Sequence, residues 1–270
     1  ILAQVCSLKQ LSFSPKGSQL LAAAVQAMSI FAGKKVLITG ANRGLGLGFA
    51  EVLTRAGADI IACCRRSSEG LDALSPKPTI ITLDVSSQQS VQALSSSLQS
   101  VGITSLDYLI NNAGISSSNH PIDPILAVKA DDIRAVMEVN VVGTIGVTQA
   151  CLPLLAAAST KCVVNLSSML ASMDQCWGVQ GKYGGVSSYR MSKAANNMAT
   201  RCFSGELRDE GYVFVALSPG HVDTDMGSKG GRTPPLSVEQ SVEKMVDVIA
   251  NLSPADNGKF LNFDGADLPW

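Results

Sequence analysis

From Lys34 onward the chain alternates between short, solidly apolar runs and longer stretches in which apolar residues return every three or four positions. The short runs are 35–39, 59–63, 79–82, 106–111, 162–166, 213–218 and 259–263. They have no polar face, which predicts strands buried on both sides, the habit of parallel sheets. The stretches 45–56, 87–100, 131–155, 188–209 and 238–251 predict helices, with Asp131 and Ser237 as N-cap residues. Seven strands alternating with helices predict a doubly wound parallel sheet between two helical layers, an α/β/α sandwich. No repeat, charge block or linker divides 33–270, so this is expected to be one domain. Two Gly- and Pro-rich loops, 178–185 and 227–235, follow predicted strands at their carboxyl ends. Open sheets of this kind bind ligands at that edge, so these loops are expected to wall and cover the site.

Composition narrows the class. With 46% hydrophobic and 16% charged residues among 270, the chain is too apolar for disorder. Lys and Arg number 21 against 22 Asp and Glu, a balance that argues against nucleic acid as a partner. Two histidines, His120 and His221, make a His-rich metal site unexpected. Seven cysteines form no C-x-x-C pair and are expected to be reduced and mostly buried. The apolar stretch 20–32, broken by Gln26 and Ser29, is too short to cross a bilayer, and no membrane partner is expected. Residues 1–32 are set apart as an N-terminal extension. Residues 1–27 contain Ser, Lys9 and Lys16, and the first acidic residue is Glu51, a profile akin to a transit peptide though without Arg. A plastid or mitochondrial destination stays open beside a cytoplasmic one, as does a true start at Met28.

The first predicted strand runs into Thr39-Gly40-Ala41-Asn42-Arg43-Gly44-Leu45-Gly46 and then a helix. Such a turn lets a pyrophosphate approach free N–H groups at a helix N-terminus. Its spacing, TGxxxGxG, resembles that of the short-chain dehydrogenase/reductase family, whose fold is Rossmann-type. The second strand ends Ala62-Cys63-Cys64-Arg65-Arg66. An NAD enzyme places Asp or Glu there to bond the ribose 2′-OH. Cys64 stands in that place, with Arg65 beside it and Arg43 in the glycine turn. Two guanidiniums suit a 2′-phosphate dianion, so NADPH/NADP+ is the expected cofactor.

Further motifs extend the resemblance. Asp84 in Leu83-Asp84-Val85 resembles the residue that bonds the adenine amino group, with Val85 adjoining. Asn111-Asn112-Ala113-Gly114 resembles the floor under adenine and ribose, although a buried amide such as Asn111 serves the sheet equally well. In Tyr189-Arg190-Met191-Ser192-Lys193, positions i and i+4 share one helix face. The resemblance implies Tyr189 as proton donor and Lys193 as the cation that lowers its pKa and bonds the nicotinamide ribose. It also implies Ser168 as the hydroxyl that orients the carbonyl, Ser167 as its structural neighbour, and Asn140 of Val139-Asn140-Val141-Val142-Gly143 as anchor of a water-linked relay to Lys193. Pro219-Gly220-His221-Val222-Asp223-Thr224 resembles the nicotinamide segment, with Val222 and Thr224 on the carboxamide and His221 on the solvent side.

The stretch between Ser168 and Tyr189 is longer than in many family members. Its extra residues, including Trp177, Tyr183, Gly184 and Gly185, are expected beside the substrate. Together with the ending Asn257-Gly258-Lys259-Phe260-Leu261-Asn262-Phe263-Asp264-Gly265 and Leu268-Pro269-Trp270, this region resembles the C-factor/sniffer-like branch of carbonyl reductases. The implied activity is reduction of a small-molecule ketone or aldehyde, with no metal, in a homodimer formed through the long helices. A 3-oxoacyl- or steroid-type reductase and a non-catalytic NADP-sensing protein remain alternative readings. The expected walls, 116–128, 169–188 and 227–236, show no charge cluster that would anchor an anionic substrate.

Overall fold

The computed structural model describes residues 30–117, 123–176 and 185–270. Seven strands form one sheet: β1 (Lys35–Thr39), β2 (Asp59–Cys64), β3 (Thr79–Thr82), β4 (Tyr108–Asn111), β5 (Cys162–Leu166), β6 (Val213–Ser218) and β7 (Phe260–Asn262). All neighbours pair in parallel in the order β3-β2-β1-β4-β5-β6-β7. The chain winds outward one way from β1 to β3, returns to β4, and winds the other way to β7. The expected doubly wound sandwich is therefore the observed one.

Side-chain alternation along each strand feeds two separate cores. Val36, Ile38, Ile60, Ala62, Val164 and Val215 face one layer, packed by Phe49 and Leu53 of α1 (Gly44–Arg55) and by Val242, Met245 and Ile249 of α8 (Val238–Ala250). Their neighbours Leu37, Ile61, Cys63, Val163 and Phe214 face the other layer. Helices α3 (Gln88–Gln92), α4 (Leu94–Ser100) and α6 (Thr144–Ala156) supply Val91, Leu94, Leu98, Val147, Cys151 and Leu154 there. Both faces being buried explains why the strands read as unbroken apolar runs. Phe31 is also a core residue, 5.1 Å from Tyr108 between ring centroids, so the packed domain already includes the end of the expected extension. Cys63, Cys151 and Cys162 are buried, and burial pushes the Cys151 and Cys162 thiols up to about 12.

Three helical expectations need correction. The segment 87–100 is two helices, α3 and α4, which meet at Ala93. The short helix α2 (Glu69–Asp72), capped by Ser68, has too few residues to show a period in sequence. Asp131 is not an N-cap: α5 (Ala130–Met137) starts after Lys129, and Asp131 lies in its first turn. Ser237, by contrast, caps α8 in a reciprocal box with Gln240.

The stretch expected as one regular helix over 131–155 is α5, a π-helical segment (Glu138–Gly143) and α6. Gly143 marks the reason for the irregularity. A Cβ there would lie 2.5 Å from the Val85 carbonyl oxygen, so the helix comes closer to the loop after β3 than a side chain allows. The whole run Ala130–Ala156 is long and apolar enough to cross a membrane, yet half of its most apolar window is buried in this fold.

Phe214 is fully buried between Phe203 and Tyr212, with ring centroids 5.3 Å and 5.8 Å away. Replacing Phe214 by Ala should cost about 3–5 kcal/mol of stability. Urea unfolding checks this: the midpoint should fall with little change in slope, and a loss below about 1 kcal/mol would contradict the packing described.

Candidate active site

The winding reverses between β1 and β4, and a cleft opens at their carboxyl ends. Thr39 and Asn112 bridge the diverging chains. The Thr39 hydroxyl accepts from the backbone N–H groups of Asn112 and Ala113, both at 3.0 Å. The Asn112 amide donates to the carbonyls of Thr39 and Gly40 at 2.9 and 3.2 Å. Above this bridge lies a cavity of about 540 Å³. The glycine turn contributes Gly40, Asn42, Arg43, Gly44 and Leu45 to it. Asp84, Val85 and Arg65 form a second side, and Asn112, Ala113 and Gly114 the floor. Tyr189, Lys193, Pro219 and Thr224 close the opposite end.

Two expected cofactor contacts stand elsewhere. Gly46 does not line the cavity. A Cβ on it would lie 2.2 Å from the Gly40 carbonyl oxygen, so its task is to let α1 start hard against the turn. Asn111 faces the sheet interior, where its amide donates to Thr148 Oγ1 at 2.9 Å and Asn165 Oδ1 at 2.8 Å. Asn165 passes the chain on to Thr200 at 2.9 Å. This buried polar rung ties α6, β4, β5 and α7 (Ser187–Glu206) together, so Asn111 serves the sheet and not the cleft.

At the rim, the Asp84 carboxyl is held below its usual range by hydrogen bonds from Ser86, with a smaller contribution from nearby Arg65. Arg43 reaches across the mouth to Asp225 at 2.5 Å, an exposed pair with 68% and 82% of each side chain in solvent. Arg65 itself is exposed.

A second, smaller cavity of about 130 Å³ adjoins the first. Tyr189, Leu45, Pro219 and Thr224 line both, so the Tyr189 side chain stands at the junction. Ser168, Gly220 and Val222 line only the smaller cavity. Ser168 lies two residues beyond β5, its Oγ accepting from the Leu170 N–H at 3.2 Å, and its hydroxyl pulls the Tyr189 phenol downward. His221 is a half-buried loop residue in the wall of this cavity, its Nε2 lying 3.0 Å from the Gly227 carbonyl oxygen. Trp177, Tyr183 and Gly184, expected beside the substrate, and His120 lie outside the described residues.

Lys193 is 4% exposed, and its Nζ donates to the Leu166 carbonyl at 2.7 Å. Burial lowers its pKa to about 8. Burial also raises the Tyr189 phenol to about 12, against smaller downward pulls from Ser168 and Arg232. The expected depression of Tyr189 by Lys193 is thus absent from the chain by itself. Desolvation penalises the charged form of each group, and the Lys193 Nζ lies 5.6 Å from the Tyr189 ring centroid.

Asn140 is 1% exposed and behind the cavity wall. Its Oδ1 accepts from Ile115 N–H at 2.8 Å, and its Nδ2 donates to Ile115 O at 2.8 Å and to Ser192 Oγ at 2.9 Å. The Asn140 side chain is therefore fully occupied in joining the π-helical segment to the loop after β4 and to α7. Gly114 fits between Asn140 and Lys193: a Cβ there would lie 3.2 Å from Asn140 Oδ1 and 3.5 Å from Lys193 Nζ.

Residues that no motif indicated also hold the site. Asp123, 5% exposed, accepts from the Ser188 N–H at 3.0 Å and from the Ser188 hydroxyl, anchoring the N-terminus of α7 beside Tyr189. A carboxylate there also complements the helix dipole. The Trp270 main-chain oxygen accepts from Met173 and Asp174 N–H at 3.1 and 3.0 Å, so the tail clips the segment that follows Ser168. Arg232, from the loop 226–232, lines the smaller cavity and puts a single guanidinium residue in its wall.

A family model described as short chain dehydrogenase matches residues 34–234. An NADPH-dependent pterin aldehyde reductase of Arabidopsis thaliana is 34% identical over 242 residues, which is 86% of this chain and 94% of that protein. An NADPH-bound carbonyl reductase from chicken fatty liver is similar in structure with a TM-score of 0.79 at 35% identity, covering 88% of this chain and 100% of that one. The carbonyl reductase Sniffer of D. melanogaster has a TM-score of 0.78 at 32% identity over the same shares.

The Lys193 shift has a measurable consequence. Between about pH 8 and its ordinary value of 10.5, the folded chain has lost a proton that the unfolded chain still holds. Stability from this group therefore rises with pH across that window. Thermal melts of wild type and Lys193→Met from pH 7 to 10 should show the difference moving in favour of wild type above pH 8. A difference that stays constant would contradict the shift.

Proposed function

Since the chain belongs to the short chain dehydrogenase family, we propose that it is an NADPH-dependent reductase converting a ketone or aldehyde to an alcohol. The observation that carries this reading is Tyr189 at the junction of two cavities, with Ser168 beside it in the smaller one and Lys193 behind it.

The larger cavity fits a dinucleotide phosphate. Gly46 brings the N-terminus of α1 against the glycine turn, where free N–H groups favour a pyrophosphate. Gly40, Asn42, Gly44 and Leu45 would border that phosphate, and Asp84, Asn112, Ala113 and Gly114 the adenosine half. Arg43 and Arg65 also line this cavity, and their guanidiniums suit a 2′-phosphate. Pro219, Val222 and Thr224 flank the junction, where the nicotinamide belongs. When bound, the reduced cofactor supplies hydride to the carbonyl carbon.

The chain's own residues supply the rest. The substrate oxygen lies against Ser168 and Tyr189, and the Ser168 hydroxyl donates to it. As that oxygen gains negative charge, the Tyr189 hydroxyl gives it a proton. Burial keeps the phenol protonated at neutral pH, which is the form a reductase needs at the start of turnover. Lys193, still largely protonated at pH 7, stabilises the phenolate left behind and would bond the cofactor ribose. Asn140 and Asp123 hold the helix that carries the pair.

Tyr189→Phe should lower NADPH consumption with a panel of aldehydes and ketones by about 10²- to 10⁴-fold. NADPH binding to that variant, followed by fluorescence, should stay near wild type. Retained turnover refutes the assignment, and wild type that binds NADPH but reduces no carbonyl would favour the sensing alternative. Arg65→Ala should cut the preference for NADPH over NADH in kcat/KM by about 10- to 100-fold, the usual worth of a charged hydrogen bond. An unchanged ratio would remove Arg65 from cofactor selection.

A further inference from the structure

The smaller cavity is apolar over most of its wall, through Leu45, Met169, Leu170, Val186, Val222 and Met226. Into this lining the structure places one guanidinium, that of Arg232. The group is held in a fixed pose. Its Nε donates to the Lys229 carbonyl at 2.8 Å, and its Nη2 donates to the Met226 carbonyl at 3.1 Å. Both acceptors lie on the loop that carries it, so the loop wraps around the head group and presents it to the cavity.

Among the described residues no carboxylate neutralises Arg232. The acidic side chains nearest in sequence are engaged elsewhere: Asp225 with Arg43 at 2.5 Å, Glu239 with Arg55 at 3.5 Å, and Asp223 with the Ser228 hydroxyl at 2.5 Å. Lys229, also on this loop, donates to the Ser117 carbonyl at 2.5 Å, and His221 meets the Gly227 carbonyl at 3.0 Å. A partly buried arginine without a counter-ion, in an otherwise apolar cavity, leaves N–H groups that a ligand anion satisfies. The cavity is only about 130 Å³, and it places Arg232 in the same small space as Ser168 and Tyr189.

We propose that Arg232 is the anion-binding residue of the substrate pocket, and that the substrate is a short ketone or aldehyde bearing a carboxylate. This rests on the reductase reading of the same site. The carbonyl oxygen meets Ser168 and Tyr189 while the carboxylate meets the guanidinium, so one substrate is fixed at two ends. Two-point fixation sets the carbonyl carbon in one place and rejects neutral carbonyls of the same size, which leave the cation unpaired. Arg232 lies near enough for its charge to pull the Tyr189 phenol downward, so a bound carboxylate also screens the proton donor.

The test compares short oxo acids with their methyl esters, using the full chain and NADPH. Wild type should prefer each acid by about 10- to 100-fold in kcat/KM, as expected for a charge-assisted hydrogen bond. Arg232→Met should abolish that preference by lowering kcat/KM far more on the acid than on the ester, and Arg232→Lys should restore part of it. Equal wild-type rates on acid and ester overturn the proposal. So does an equal loss on both in Arg232→Met, because that is what a residue that only shapes the loop would give. Binding separates this proposal from the reductase reading. In the presence of NADP+, calorimetry should show a matched hydroxy acid binding more tightly than its ester, and only in wild type. Such discrimination without turnover would sustain the anion site and sink the reductase reading. Turnover of neutral aldehydes with no such discrimination would do the reverse.

Discussion

The rest of the site depends on how two neighbouring strands part. β1 and β4 lie side by side, but the chain leaves them in opposite directions, which opens a gap at their carboxyl ends. Thr39 and Asn112 close the base of that gap with four hydrogen bonds between segments some seventy residues apart in sequence. Diverging backbone would otherwise leave these buried donors and acceptors unpaired, at a cost of about 1–3 kcal/mol each. The bridge therefore sets the floor of the larger cavity and the position from which the glycine turn starts. Every other cleft residue is placed relative to that floor.

Behind it, buried side chains hydrogen-bond one another in two rungs, with the Asn111 and Asn196 side-chain oxygens left without a partner among the described residues. Asn111, Asn165, Thr148 and Thr200 form one rung, while Asn140, Ile115 and Ser192 form another. Such networks are rigid because each member has few alternative partners at low dielectric. They hold Lys193 out of solvent and Tyr189 half-buried beside it at the junction of the two cavities. The same burial that orders the pair drives their pKa values apart, Lys193 down to about 8 and Tyr189 up to about 12. Positive charge arriving near the phenol is what makes its ionised form accessible, so the proton donor is tuned by what enters the cavities as much as by its fixed neighbours.

Much of this was legible in the chain. The strands were readable because burial on both faces removes polar residues and leaves uniform apolar runs. The glycine turn and the Tyr-x-x-x-Lys pair were readable because each obeys a local spacing set by backbone geometry. Asp123, the π-helical segment and the division of 87–100 at Ala93 were not. Asp123 reaches Ser188 across 65 positions, and the π-helical segment answers the approach of Val85, both contacts invisible to local periodicity. Asn111 shows a subtler limit: adjacent asparagines point to opposite faces of a strand end, and only the register β4 takes against β5 decides that Asn112 has the cleft and Asn111 the sheet.

The sequence by itself determined the layers, the strand count, the glycine turn, and the residue types gathered for proton transfer. These follow from alternation, helical spacing and turn chemistry, all of which act within a few residues. The tertiary structure decided which charges matter. Arg43 is engaged by Asp225, Arg65 is left at the rim, and Arg232, one unremarkable basic residue in a Gly-rich loop, is carried into the cavity of Ser168 and Tyr189. Electrostatic worth depends on burial and on neighbours in space, and neither is encoded in any short window of the chain.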